Sequence, residues 1–108
     1  MNIEIRDLSP AEADARLREG TLTIVDVRPP QERELAAIAL PYAVLDAGGL
    51  ESLLAQPRDL PLGFLCHHGG RSAQAADHFH AQGFNEVFNI AGGIDAWAQD
   101  VDPSVPRY

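Results

Sequence analysis

The chain reads as a three-layer α/β domain, with a central, mainly parallel five-stranded sheet flanked by helices, and three observations lead there. Strand-length apolar runs alternate with helical patterns along its 108 residues. The runs Leu22 to Val27 and Pro61 to Cys66 are nearly continuous in apolar residues, as expected of strands in the middle of a parallel sheet. Glycine and proline punctuate most of the boundaries between these segments. The length suits one domain, residues 1–108, with one core.

A short strand is expected at Ile3-Glu4-Ile5. Ser9-Pro10-Ala11-Glu12 then combines a capping box with proline at the first helical position, opening a helix from Pro10 to Glu19 that Gly20 closes. Leu22 to Val27 forms a central strand with Asp26 near its carboxyl end, and Arg28-Pro29-Pro30 breaks it. Gln31 to Ala37 carries acidic residues early and forms a short helix, with Glu32, Arg33 and Glu34 on a solvated face. Ile38 to Leu45 is a further strand that Pro41 confines to an edge or a bend. Gly48-Gly49 marks a turn before a helix over Leu50 to Ala55, and Gln56 to Pro61 is a polar loop.

Pro61 to Cys66 is the next central strand. Ser72 to Gln82 has helical spacing at Ala73, Ala76 and Phe79, with Gly83 beyond its end. Val87 to Ile90 is a strand, Gly92-Gly93 a turn, Ile94 to Ala98 a last helix, and Val101 to Tyr108 an extended tail. In such sheets ligands bind beyond the carboxyl ends of the strands, so Asp26-Arg28 and the segment after Cys66 are expected to converge on one pocket.

Sixteen acidic residues face eight basic ones, and the net charge of −8 argues against a nucleic-acid or anionic-membrane surface. No apolar run is long enough to cross a bilayer and no charged-then-apolar leader opens the chain, so a soluble cytoplasmic protein is expected. All eight basic residues are arginine, a bias typical of coding in a GC-rich bacterium. A single cysteine forms no internal disulfide and cannot run a dithiol cycle, so any sulfur chemistry needs an external partner.

That cysteine stands in Cys66-His67-His68-Gly69-Gly70-Arg71, after a strand and before a helix. Backbone N–H groups turned inward at a helix start make a concave anion site. Gly69 and Gly70 supply positive φ, Arg71 a permanently charged forked donor, and His67 and His68 loop shape and N–H groups. A thiol so placed titrates below the ordinary value and becomes a nucleophile.

Three separated motifs resemble the rhodanese family of sulfurtransferases, in particular its small single-domain members. Asp26-Val27-Arg28 is similar to the family's first-half motif, Cys66 to Ser72 to its catalytic loop, and Ala91-Gly92-Gly93-Ile94-Asp95-Ala96-Trp97 to its C-terminal signature. The resemblance implies a rhodanese-like fold and ping-pong transfer of sulfane sulfur from thiosulfate or a related donor to cyanide or a thiol, free or on a protein, through a persulfide on Cys66. It implies substrate contacts from His67, His68, Gly69, Gly70 and Arg71; Asp26 and Arg28 are candidates to stand behind the loop, and no cofactor or metal is expected. It also implies that the last helix packs near the loop. The stretch that in the family usually reads Gly-His-Ile-Pro-Gly-Ala is here Ala36 to Ala43, without the histidine and the glycines, so packing beside the site is expected to differ.

Alternatives stay open. The runner-up reading is a persulfide carrier or sulfur-relay module that docks a protein partner and has little turnover with small donors. Phosphatases similar to the family carry one residue more between cysteine and arginine than the four here, which disfavours phosphate chemistry. Cys66, His67 and His68 are consecutive and rarely converge on one ion. Asp26 and Arg28 read as site residues or as a structural pair, and Gly92, Gly93 and Trp97 as turn and core.

Overall fold

The computed structural model describes residues 5–108. Its sheet contains β1 (Arg6–Leu8), β2 (Thr23–Asp26), β3 (Ala43–Val44), β4 (Leu62–Leu65) and β5 (Val87–Ile90), in the order β1-β5-β4-β2-β3. Every neighbouring pair is parallel, so the sheet expected to be mainly parallel is wholly so among the described residues. Helices α1 (Pro10–Arg18), α2 (Pro30–Leu35), α3 (Ala47–Leu54), α4 (Gly70–Ala81) and α5 (Gly93–Asp100) alternate with the strands. None of these is long and apolar enough to cross a membrane.

Period-two alternation divides the core into two layers. Ile24, Leu65, Phe88 and Ile90 face one side and pack with Ala13 of α1 and Ile94 and Trp97 of α5. Val25, Leu62, Phe64 and Val87 face the other and pack with Leu53 of α3 and Ala76 and Phe79 of α4. All four residues of β4 are buried, as a strand covered on both faces requires.

The capping box forms as expected: the Ser9 hydroxyl accepts the Glu12 N–H at 3.1 Å while Glu12 accepts the Ser9 N–H at 3.0 Å. Elsewhere the structure departs from the sequence expectation, α5 for one starting at Gly93 and running on to Asp100. Ile3 and Glu4 of the expected first strand lie outside the described residues, and β1 runs from Arg6, which pairs with Phe88. The strand expected over Ile38 to Leu45 contracts to Ala43–Val44 at the sheet edge, because Pro41 has no N–H to give a ladder. Gly48 and Gly49 lie inside α3 instead of a turn, since Asp46 caps that helix by accepting the Gly49 N–H at 2.7 Å. The tail is not simply extended: Val105 is buried, and Arg107 and Tyr108 contact α5 and α2.

Strand order places the site. From β2 the chain moves outward to β3, then returns to β4 on the other side of β2 and continues to β5. The connections leaving β2 and β4 therefore diverge, and a crevice opens between their carboxyl ends. Asp26 ends β2, and Cys66 follows the last residue of β4.

Candidate active site

Cys66 sits at the base of this crevice and is 1% exposed. Gly69 donates its N–H to the Cys66 Sγ at 3.0 Å, and the Ser72 hydroxyl lies 3.2 Å from the same sulfur. The N–H groups of Ser72 and Arg71 also face it. This cradle exists because α4 starts two residues earlier than its apolar spacing predicts. Gly69 takes a left-handed conformation with φ of 108°, a region costly to residues with a Cβ, and so turns the chain into the helix at Gly70. Gly70 itself has no positive φ, contrary to the sequence expectation, and is the first helical residue.

Burial pushes the Cys66 thiol up, but the hydrogen bonds from Ser72, Gly69 and Arg71 outweigh it and hold the thiol below its ordinary value. The Ser72 hydroxyl has one proton and three acceptors in reach: Sγ, the Gly69 carbonyl at 3.2 Å and Asn89 Oδ1 at 2.5 Å. That one proton can serve Asn89 or a charged sulfur, not both at once. Asn89 Nδ2 meanwhile donates to the Gly69 carbonyl at 3.2 Å and pins the loop to β5.

The first turn of α5 holds the loop from the other side. Ile94 N–H donates to the Cys66 carbonyl at 2.8 Å and Asp95 N–H to the His67 carbonyl at 3.1 Å. Gly93 allows that approach, since a Cβ there would stand 2.3 Å from the Cys66 carbonyl oxygen. The last helix thus packs on the loop. Trp97 is core, 2% exposed.

Asp26 and Arg28 form a buried pair, with Arg28 Nη2 at 2.6 Å and Nε at 3.0 Å from the carboxylate. The remaining Arg28 contacts, from Nη1, go to the Glu32 carbonyl at 3.3 Å and the Tyr108 hydroxyl at 3.1 Å. Neither Asp26 nor Arg28 contacts Sγ; the pair supports the loop between β2 and α2. Burial pushes the Arg28 guanidinium down, and its bonds to Asp26 and Tyr108 more than offset that, leaving it raised.

The Arg71 guanidinium is not turned onto the sulfur. It pairs with both oxygens of Glu32 at 2.7 and 2.8 Å across the crevice. Its side chain stays 46% exposed against 21% for Glu32. That bond lowers the Glu32 carboxyl to about 2 and, reciprocally, raises Arg71. Glu32, expected on a solvated face, reaches across to the first turn of α4 instead.

His67 and His68 stack on each other with ring centroids 3.9 Å apart, and Tyr108 stacks on the outer face of His67 at 3.8 Å and 7°. His67, His68 and Asp95 also bring one ligand atom each within 4.8 Å of one another. Stacked imidazoles run their in-plane lone pairs side by side, however, and Asp95 is held by Arg107 at 2.9 Å and Gln99 at 3.2 Å. This arrangement does not converge on an ion.

Sequence reasoning missed Glu32, Asn89 and Tyr108. Asn89 had a local signal, one amide inside the apolar strand Val87-Phe88-Asn89-Ile90. Glu32 and Tyr108 had none, because their partners lie 39 and 76 residues away. An apolar cavity of about 250 Å³ against Thr23, Ile24, Pro41 and Tyr42 lies at the opposite, amino end of β2.

Residues 9–100 match the family model of the rhodanese-like domain. The chain is 32% identical over 97 residues to the thiosulfate sulfurtransferase GlpE of Pseudomonas paraeruginosa, covering 90% of this chain and 87% of that protein. It is 33% identical over 114 residues to the chloroplastic rhodanese-like/PpiC domain-containing protein 12 of Arabidopsis thaliana; the match covers 96% of this chain but spans only 38% of that longer relative. A polysulfide-sulfur transferase homodimer from Wolinella succinogenes superposes with a TM-score of 0.75 at 30% identity, over 89% of this chain and 74% of that one.

Proposed function

The chain belongs to the rhodanese-like domain family, and from that premise we propose that it is a sulfurtransferase moving sulfane sulfur from thiosulfate or a related anionic donor to cyanide or a thiol, with Cys66 as nucleophile. The observation that carries this reading is the cradle of Gly69, Arg71 and Ser72 around the Cys66 sulfur, which favours a thiolate despite burial.

The steps follow from that geometry. The thiolate attacks the outer sulfur of thiosulfate; an S–S bond to Sγ forms, the donor's own S–S bond breaks, and its electron pair leaves with sulfite. The enzyme is left with a persulfide anion, to which the N–H groups that faced the thiolate donate. Arg71, released from Glu32, binds the anionic donor and the departing sulfite. Cyanide or a thiolate then attacks the outer persulfide sulfur, takes it, and returns Cys66 to thiolate. His67, His68, Gly69 and Gly70 shape the loop, and Asp26 and Arg28 support it from behind. Every step uses protein groups alone, without cofactor or metal, in a cytoplasmic setting.

The test is the intact mass after thiosulfate treatment. The expected result is a gain of one sulfur atom, removed by cyanide and absent in Cys66→Ser. No gain in the wild type would overturn the reading.

A second reading, a sulfur relay served by a protein partner, is favoured by one observation: Cys66 is 1% exposed. A nucleophile that deep suits handover inside a docked complex. Slow thiosulfate-to-cyanide turnover, combined with rapid persulfide formation from a protein persulfide donor, would select it.

A further inference from the structure

Tyr108 touches both halves of the site. Its hydroxyl donates to Glu32 Oε1 at 2.6 Å, and Glu32 Oε1 also accepts from Arg71 Nη2 at 2.8 Å. The same hydroxyl accepts from Arg28 Nη1 at 3.1 Å, and Arg28 is fixed in turn by Asp26. A line of bonds therefore runs from the sheet interior, Asp26 to Arg28 to Tyr108 to Glu32 to Arg71. Its ring meanwhile lies flat on His67, next to the nucleophile.

The helix that carries Glu32 cannot hold that carboxylate in place by packing. α2 has six residues and none is buried. An unpacked helix of that length is marginal on its own, so polar contacts decide where Glu32 stands. Tyr108 supplies one of them. The tail that brings it is itself anchored, by buried Val105 and by the Arg107–Asp95 pair at 2.9 Å.

We propose that Tyr108 is a positioning residue that clamps Glu32 onto Arg71 and lays its ring on His67, holding the site in a closed form that an anionic donor opens by displacing Glu32. Two observations show why opening is needed: Cys66 is 1% exposed, and the Arg71 guanidinium is already bonded at both terminal nitrogens to a carboxylate. A donor with two anionic oxygens can replace that carboxylate, whereas a neutral one gains nothing from Arg71. Tyr108 therefore sets a threshold that selects for charged donors. This inference takes only the nature of the donor from the sulfurtransferase reading.

The experiment is alkylation of Cys66 by neutral iodoacetamide and by anionic iodoacetate, in which the sulfur–carbon bond forms as iodide leaves. It is run on the wild type, Tyr108→Phe and Tyr108→Ala. Tyr108→Phe keeps the stack and loses only the hydroxyl, so Arg71 is freed while the loop stays covered. Iodoacetate should then react about fivefold faster, with iodoacetamide little changed. Tyr108→Ala uncovers His67 as well, and both reagents should accelerate. Equal rates in all three proteins, or equal acceleration of both reagents in Tyr108→Phe, would overturn the proposal. The readout needs no sulfur transfer: a protein that gains no sulfur from thiosulfate but shows this pattern loses the function and keeps the clamp, and the converse result separates them the other way.

Discussion

Glu32 grips Arg71 across the crevice, both carboxylate oxygens on both terminal guanidinium nitrogens at 2.7 and 2.8 Å. The two residues come from the divergent connections after β2 and β4, so the pair closes the switch point of the sheet. A donor that needs Arg71 competes with a carboxylate already in place. Glu32→Gln leaves a neutral amide that binds guanidinium more weakly. The KM for thiosulfate should fall about fivefold, the competition removed being the part of a surface ion pair that solvent does not already screen. Steady-state kinetics measure it; an unchanged or higher KM would show that Arg71 does not meet the donor.

The same pair gives stability a defined pH dependence. Arg71 draws the Glu32 carboxyl from 4.5 down to about 2. A depressed carboxylate contributes stability that is present above its unfolded value and lost as pH falls through its folded one. The wild type should therefore exceed Glu32→Gln by about 1 kcal/mol near neutrality, after discounting for the exposure of Arg71, and lose that advantage between about pH 5 and pH 2. Denaturant unfolding across that range reads the difference. A gap that stays constant with pH would mean Glu32 is not coupled to folding through its charge.

Much of this arrangement was legible in the chain. The continuous apolar runs around Val25 and Phe64 mark strands covered on both faces, and period-two alternation assigns Ile24 and Val25 to opposite layers. Cys66, Gly69 and the helix after them stand together in sequence, so a local pattern finds them. What could not be read depends on distance or on competition. Tyr108 meets His67 only because Val105 and Arg107 fold the tail back, and nothing near Tyr108 encodes that. The role of Glu32 was hidden by a sequence pattern, alternating charges on a short helix, that usually faces water. Gly48 and Gly49 looked like a turn because glycine weakens helices, yet the Asp46 cap outweighed that preference.

Ser72 should matter through its hydroxyl. Its proton is the one donor near Sγ that can turn away to Asn89 when the sulfur is neutral and back when it is charged. Ser72→Ala removes it and leaves the backbone N–H groups in place. The pH midpoint of Cys66 alkylation should move up, and reaction with thiosulfate at neutral pH should slow roughly tenfold, the cost of one bond to a charged acceptor. A midpoint equal to the wild type's would assign the low thiol value to the backbone alone.

Asp26 and Arg28 should matter through folding. Both are 1% exposed, so removing one charge leaves the other buried without its partner. Asp26→Asn is expected to destabilise by about 3 kcal/mol. Asp26→Asn with Arg28→Met removes both charges and should recover part of that loss, because buried pairs give little net stability over apolar replacements. Thermal or denaturant unfolding distinguishes the two. A double variant as unstable as the single would mean that the Arg28 bonds to Glu32 and Tyr108, and not its charge balance, carry the effect.

Gly93 and Gly70 look alike in sequence and should behave oppositely. Gly93 has φ of 62°, and a Cβ there would stand 2.3 Å from the Cys66 carbonyl oxygen and 2.5 Å from that of His67. Those carbonyls accept the N–H groups of Ile94 and Asp95, so a methyl group must push α5 off the loop or push the loop off α5. Gly93→Ala should cost about 3 kcal/mol or more, combining left-handed strain with the clash. It should also raise the Cys66 alkylation midpoint, because the displaced loop no longer presents its N–H groups to sulfur. Gly70 is the first residue of α4, has no positive φ, and has open space where its Cβ would be. Gly70→Ala therefore removes unfolded-chain freedom without strain and should leave stability unchanged or higher by about 0.5 kcal/mol. Unfolding of the two variants side by side is the check. If Gly70→Ala proved the more damaging, the packing of the last helix against the catalytic loop would not be what holds Cys66 in its cradle.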